Sequence, residues 1–245
     1  MARSCFFEAN PQASLPRRML VEGVGTFLLM LVLTGTALVI QQSSPSIPLL
    51  PRFTSAIAAA GALTGLVIAL GSASGAHFNP LISGIQWLLG ERSWRCAAGY
   101  ALAQASGAVI GGAAGRFLFD GVSAPMTNRA LSWILVTSEF VSAMALMTIV
   151  LGCSRSAKAE AGPFAIAAWL AAAIIVFPSG SYANPAIVLG SMFAAGPIKL
   201  QTTVGAWFVA AELLGVLLAA ATISLAYPRS APEVASQSQD PGRST

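Results

Sequence analysis

Charged residues are scarce in this chain of 245 residues, at 9% of the sequence, whereas soluble domains have about 25%. Hydrophobic residues make up 56% of the chain, and the mean hydropathy is +0.73. This composition excludes an ordinary soluble domain and indicates a membrane protein with several spanning segments. The net charge of +4 is explained by basic residues in cytoplasmic loops, so we expect no nucleic-acid partner.

Histidine and cysteine are too rare to build the common metal and disulfide frameworks. The only histidine is His77, which excludes a relay of histidines and an H-E-x-x-H zinc site. The chain also lacks a G-x-x-x-x-G-K-[ST] phosphate loop. Cys5, Cys96 and Cys153 are expected on or near the cytoplasmic side, where thiols stay reduced. We therefore expect no metal, no cofactor and no enzymatic activity.

Six apolar segments are long enough to approach the span of a bilayer, which needs about 20 residues. They lie near residues 19–40, 53–71, 95–115, 131–152, 162–177 and 203–227. Residues 1–18 are predicted to form a cytoplasmic N-terminal segment. The tail at 228–245 is rich in Ser, Pro, Gln and Asp, a composition that predicts disorder.

The basic residues predict the orientation in the membrane. With both termini inside the cell, nine of the thirteen Lys and Arg residues are cytoplasmic, which agrees with the excess of positive charge on that side of membrane proteins. We therefore expect a multi-pass protein of a bacterial-type inner membrane, in contact with lipid and with both termini in the cytoplasm.

Two further apolar segments, 79–90 and 184–195, are too short to cross the membrane. Each begins with an Asn-Pro pair, Asn79-Pro80-Leu81 in the first case and Asn184-Pro185-Ala186 in the second. An Asn can cap the start of a helix, and Pro is well placed directly after it. Short segments at corresponding places in two halves are typical of a transport pathway at the midplane. We interpret both segments as half-helices.

The two halves of the chain are weakly similar to each other. Aligning Glu22 with Glu139 also brings Gln104 onto Glu212 within matching spans. Each half, about 19–128 and 129–227, contains three full spans, so the second half must enter the membrane upside down. Such inverted repeats place the functional site at their interface.

The two half-helices are therefore expected to meet at their N-termini. Each N-terminus carries roughly half a positive charge, so the pair opposes the passage of cations while neutral hydrogen-bonding solutes pass. The irregular backbone before each half-helix is tolerated at membrane depth only beside protein or a water-filled cavity. Its expected pore-lining residues are Gly75, Ala76, His77, Gly180 and Tyr182.

Three carboxylates lie within predicted spans, at Glu22, Glu139 and Glu212. In one interpretation they accept hydrogen bonds from the exposed backbone of the broken segments, a role we assign above all to Glu22 and Glu139. In the alternative, they carry protons in a coupled secondary transporter. Glycines at intervals of four, Gly61 with Gly65 and Gly107 with Gly111, also predict close helix crossings.

Residues 17–227 resemble the major intrinsic protein family, the aquaporins and aquaglyceroporins. The most specific stretch is residues 74–80, Ser-Gly-Ala-His-Phe-Asn-Pro, and Glu22, residues 99–104 and Asn184-Pro185-Ala186 match further features of the family. The resemblance implies an all-α membrane fold of six spans and two half-helices within a single channel domain. It also implies a homotetramer with one pore per subunit, with Asn79 and Asn184 as hydrogen-bond donors at the pore midplane.

The chain departs from the family pattern at the filter that narrows the pore. Most members have an Arg three residues after the second Asn, where this chain has Ile187. The remaining filter positions fall on Ala59, on Ala172 or Ala173, and on Ser181, and Leu81 replaces the usual Ala of the first motif. A wide, apolar filter results. The expected solutes are small and uncharged, such as arsenous acid, glycerol or urea, together with some water. The alternative is an ordinary water channel with an unusual outer mouth.

Overall fold

The computed structural model describes residues 13–43, 47–119, 130–156 and 159–227, and within these ranges the chain is helical with no strand. The described residues form eight α-helices: α1 Leu15–Ser43, α2 Leu50–Ser74, α3 Pro80–Leu88, α4 Trp94–Leu118, α5 Trp133–Arg155, α6 Gly162–Val176, α7 Pro185–Phe193 and α8 Thr202–Ala226. Two short 3-10 helices lie at Ala159–Ala161 and Gly196–Ile198. The predicted disordered tail at 228–245 and the first part of the N-terminal segment lie outside the described residues.

Six longer helices and two short ones confirm the predicted arrangement. Four of the described helices, α1, α2, α5 and α8, are long and apolar enough by themselves to cross a membrane. Helix α6 is apolar but has only 15 residues. Helix α4 has 25 residues but is less apolar, because it contains several glycines together with Tyr100 and Gln104. Helices α3 and α7 have nine residues each, which gives a length of about 13 Å, half of a hydrocarbon core.

The packing of the helices repeats between the two halves. Helix α1 packs most extensively against α4, and α5 packs in the same way against α8. Helix α2 of the first half contacts α6 of the second, which joins the halves. Each half-helix is preceded by a non-helical stretch. Residues 75–88 form the first re-entrant segment, and residues 177–193 form the second.

Glycines allow the closest helix crossings. A Cβ atom on Gly107 would lie 2.1 Å from the carbonyl oxygen of Gly23 in α1, and one on Gly111 would lie 2.5 Å from that of Phe27. Contacts this short leave no room for any side chain, so α1 and α4 touch along their backbones. This confirms the crossing predicted from the spacing of Gly107 and Gly111.

The same prediction is wrong for Gly61 and Gly65 within the described chain. A Cβ atom at either position would meet no atom within 4 Å, and both residues are exposed on α2. A spacing of four only shows that two glycines share a helix face. Whether another helix covers that face depends on the tertiary arrangement.

Candidate functional site

The two re-entrant segments have the same backbone conformation ahead of their half-helices. The residues four, three and one places before each Asn have positive φ: Gly75 (94°), Ala76 (46°) and Phe78 (47°) in the first segment, and Gly180 (85°), Ser181 (58°) and Ala183 (45°) in the second. Non-glycine residues seldom adopt this conformation. Since such a backbone cannot form helical hydrogen bonds, its N–H groups need other acceptors.

Glu22 of α1 provides those acceptors in the first segment. Its Oε1 accepts hydrogen bonds from Ser74 Oγ (2.6 Å) and from the backbone N–H of His77 (3.0 Å). Its Oε2 accepts from the N–H of Phe78 (2.7 Å) and from Gln104 Nε2 (2.8 Å). The side chain has no solvent exposure. Four donors therefore compensate the burial of this carboxylate.

Two carboxyl groups serve the second segment. Glu139 of α5 accepts from the N–H groups of Tyr182 (3.1 Å) and Ala183 (2.8 Å), the positions that correspond to those bound by Glu22. Glu212 of α8 accepts from the N–H of Asn184 (3.1 Å).

Each Asn-Pro pair begins its half-helix as a capped N-terminus. Asn79 Oδ1 accepts from the N–H of Leu81 (2.9 Å), and Asn184 Oδ1 accepts from the N–H of Ala186 (3.0 Å). The proline that follows each Asn occupies the first helical position, where the missing N–H has no helical partner to lose. The N-terminus of each half-helix is therefore stabilised at the centre of the protein.

The two asparagines also join the segments to each other. Asn79 Nδ2 donates to the carbonyl of Ala183 (2.9 Å), and Asn184 Nδ2 donates to the carbonyl of Phe78 (2.8 Å). These reciprocal bonds hold the N-termini of α3 and α7 close to each other. Each amide group has two N–H bonds, so one N–H per asparagine is available beyond the reciprocal bond.

A cavity of about 460 Å³ lies beside the paired N-termini of α3 and α7. Its wall includes both asparagines, the non-helical backbone of the two re-entrant segments and one face of α2. Apolar side chains supply most of the remaining lining, including Leu29, Leu33, Leu63, Val67, Ile82, Leu146, Val150 and Ile187. The arrangement presents amide donors and two positive helix ends to an otherwise apolar passage.

Comparisons with known proteins agree with this geometry. The family model described as major intrinsic protein matches residues 10–178. An aquaglyceroporin, AqpS of Rhizobium meliloti (strain 1021), is 33% identical over 211 residues, which cover 84% of this chain and 88% of the relative. The chain belongs to the major intrinsic protein family. Its members are membrane channels for small solutes, and the described architecture is that of such a channel.

A second relative and a solved structure are also similar to this chain. Aquaporin NIP3-1 of Oryza sativa subsp. japonica is 29% identical over 205 residues, which cover 80% of this chain and 65% of the relative. The X-ray structure of the aquaglyceroporin from Plasmodium falciparum superposes with a TM-score of 0.69 at 18% identity, and the match covers 88% of this chain and 98% of that one. At this identity the likeness shows the fold alone.

Most residues predicted to line the pore of this channel lie on the cavity wall. They are Gly75, Ala76, His77, Asn79, Gly180, Ser181, Tyr182, Asn184 and Ile187. His77 Nδ1 shares a hydrogen bond with Ser83 Oγ (2.9 Å), and its ring meets the ring of Tyr100 edge-on. Tyr182 donates its hydroxyl to the carbonyl of Ile198 (2.8 Å).

The residues predicted for the filter on α2 and α6, Ala59 and Ala172 or Ala173, are not among the described cavity-lining residues. Ala172 is exposed, and Ala173 is buried. Ile174 and Leu170 line the cavity instead. Because residue 172 is turned by about 200° from both of them on the helix, it cannot share their face. Ala59 is fully buried and packs in one cluster with Ile174.

None of the buried acids lies among the described cavity-lining residues. Glu22, Glu139 and Glu212 have no solvent exposure and bind backbone or side-chain donors of the re-entrant segments. A proton-coupled transporter would need such a group on the pathway. A cavity-lining residue that sequence reasoning did not identify is Arg52, at the start of α2. Arg52 lies eleven residues, or about three turns, before Leu63, so it shares a helix face with another lining residue of α2.

Proposed function

We propose that the protein is a passive channel for small uncharged solutes larger than water, with arsenous acid, glycerol and urea as candidates and with some passage of water. The observation that carries the proposal is the wall at Ile187. This side chain lies on the cavity three residues after Asn184 and is 4% exposed. The family usually places an Arg here, with five N–H donors and a fixed charge.

The surroundings of Ile187 support a wide and weakly polar passage. Leu29 is part of the same buried cluster, and Leu33 and Leu63 pack against it. All three also line the cavity. An apolar wall gives water few partners for a hydrogen-bonded file, whereas it can contact the carbon atoms of a polyol. The helix ends at the asparagines still disfavour cations at the centre.

The relative from Rhizobium meliloti points in the same direction. Its name describes an aquaglyceroporin, and it is similar to this chain over most of both sequences. We further propose an inner-membrane location with both termini in the cytoplasm and a homotetrameric assembly. The outward-facing glycines of α2, Gly61 and Gly65, are exposed where a neighbouring subunit could approach closely.

Stopped-flow light scattering of proteoliposomes tests the proposal. We expect glycerol, urea or arsenous acid to enter faster than in protein-free vesicles, without dependence on a pH gradient. High water permeability with all three solutes excluded would contradict the proposal and favour an ordinary water channel. Saturable uptake driven by a pH gradient would favour a coupled transporter.

Ile187→Arg is the matching variant. The long charged side chain would fill part of the cavity beside Leu29 and Leu63, so glycerol flux should fall by about tenfold, the effect of a barrier raised by about 1.4 kcal/mol. Ile187→Val keeps the wall apolar and serves as its control. Equal glycerol flux in both variants would mean that residue 187 does not line the narrow part of the pore.

A further inference from the structure

Arg52 has a position and a set of contacts that the function proposed above leaves unused. It is the third residue of α2 and lines one mouth of the cavity together with Ser55, one turn further along the helix. Ala59 follows on the same face after two turns. At a rise of 1.5 Å per residue, Arg52 lies about 10 Å beyond the level of Ala59.

The guanidinium group of Arg52 is fixed by the end of α6. Its Nη1 donates to the carbonyl groups of Ile175 (2.9 Å) and Phe177 (2.8 Å), with a longer contact to that of Ile174 (3.5 Å). The last carbonyls of a helix have no helical partners, and a cation is favoured beside them. Arg52 therefore holds the C-terminus of α6 directly before the second re-entrant segment.

Those bonds leave most of the guanidinium available. None of the hydrogen bonds that Arg52 forms with the described residues uses Nε or Nη2, which carry three of the five N–H bonds of the group. The side chain is only partly buried. Among the described residues of the cavity wall, Arg52 alone has a formal charge at neutral pH.

We propose that Arg52 is the cation barrier of this channel at the mouth formed by the start of α2, in place of the charge that Ile187 lacks. The inference rests on the proposed function, because it concerns which solutes that pore admits. A fixed positive charge in the mouth repels potassium and sodium ions. Its remaining N–H groups can donate to the oxygen atoms of uncharged hydroxylated solutes and compensate their loss of water. The filter at Ile187 can then be wide and apolar without admitting cations.

The test compares potassium leak with glycerol flux in the same proteoliposomes. Arg52→Gln removes the charge but keeps an amide that can donate to Phe177. We expect potassium leak to rise roughly tenfold. This follows from removing the repulsion between the charge of Arg52 and a potassium ion about 10 Å from it, at an effective dielectric constant near 20. Arg52→Lys keeps the charge and should leak as little as the original protein. The double variant Arg52→Gln with Ile187→Arg should lower the leak again.

Arg116→Gln is the matched control. Arg116 is exposed in the last turn of α4 and is not among the cavity-lining residues, so the same loss of charge should leave the leak unchanged. Ser55→Glu covers the case in which Arg52→Gln does not fold. It keeps the contacts of Arg52 with α6 while cancelling its field, and it should also raise the leak.

The outcomes separate the two proposals. If potassium leak is unchanged in Arg52→Gln, the proposed role of Arg52 is overturned, whereas glycerol flux through the original protein still supports the proposed function. Ser55→Glu decides the same point where Arg52→Gln does not fold. Absence of glycerol flux in the original protein would contradict the proposed function, and the potassium comparison would still decide whether Arg52 excludes cations. An equal rise in Arg116→Gln would overturn the role of Arg52, because the effect would then come from net charge alone.

Discussion

The two re-entrant segments have the same backbone conformation but are held in different ways. In the first, one carboxylate, Glu22, receives four donors, including the amide of Gln104. In the second, Glu139 accepts the N–H groups of Tyr182 and Ala183, and a separate carboxyl group, Glu212, accepts that of Asn184. Helix α2 continues to Ser74, whereas α6 ends at Val176 and leaves a longer irregular stretch.

This comparison shows which features the duplicated site needs. Both copies keep the positive-φ residues, the Asn-Pro start and one acid that accepts the two N–H groups before the Asn. The support behind that acid and the packing of the half-helix differ between the copies. The geometry at the pore centre is therefore constrained more tightly than its surroundings.

Removal of the acceptors should have the largest effect. Glu22→Ala leaves buried N–H groups of His77 and Phe78 without partners, and we expect a loss of about 3 kcal/mol or more in stability, with no solute flux. Glu139→Ala should cost less, because Glu22 also receives the amide of Gln104, whereas the residue at the corresponding position, Glu212, accepts the N–H of Asn184 instead. Thermal unfolding in detergent measures both. Glu160→Ala, at an exposed site, is the control, and equal losses in all three variants would refute the expected order.

A methyl group added to each half-helix should reveal how differently α3 and α7 are packed. A Cβ atom on Gly190 of α7 would lie 2.6 Å from the carbonyl oxygen of Ala108 in α4, whereas one on Gly84 of α3 would meet nothing within 4 Å. Gly190→Ala should lose about 1–3 kcal/mol through overpacking. Gly84→Ala should gain up to about 1 kcal/mol from helix propensity. Unfolding temperatures of the two variants check this, and similar values would show that the packing of α7 adapts easily.

The smallest effect is expected where one repeat is made more like the other. Glu212→Gln gives the second segment the Glu and Gln combination of the first, and its amide oxygen can still accept from Asn184. We expect a change in stability within about 1 kcal/mol, comparable to one neutral hydrogen bond, and unchanged glycerol flux. Glu139→Gln is the contrast, because one amide oxygen cannot replace two carboxylate oxygens that each accept an N–H. A severe loss in Glu212→Gln would mean that the second carboxyl group has a role that Gln104 does not share.

Local sequence was sufficient to predict the elements of the channel. Segments 79–90 and 184–195 were predicted as half-helices, and α3 and α7 occupy residues 80–88 and 185–193. The Asn cap and the following Pro act within one helical turn, so their effect can be recognised without tertiary information. The six longer helices followed from the length of apolar runs for the same reason.

Features that depend on helix rotation were harder to predict. The filter position on α6 was assigned to Ala172 or Ala173, but Ile174 faces the cavity. Because α6 is apolar on all sides, its sequence contains no polar face that would set its rotation. Gly61 and Gly65 illustrate the same limit, since the spacing of small residues does not reveal which faces meet another helix of the chain.

The sequence by itself determined a membrane protein of two inverted halves, two half-helices capped by Asn79 and Asn184, and an Ile at position 187, where most members of the family have an Arg. These properties follow from composition and from interactions between residues close in the chain. Only the tertiary structure decided that Arg52 reaches the end of α6 and that Ile174 lines the cavity. Those contacts join residues more than 100 positions apart, and they depend on how α2 and α6 are rotated against each other.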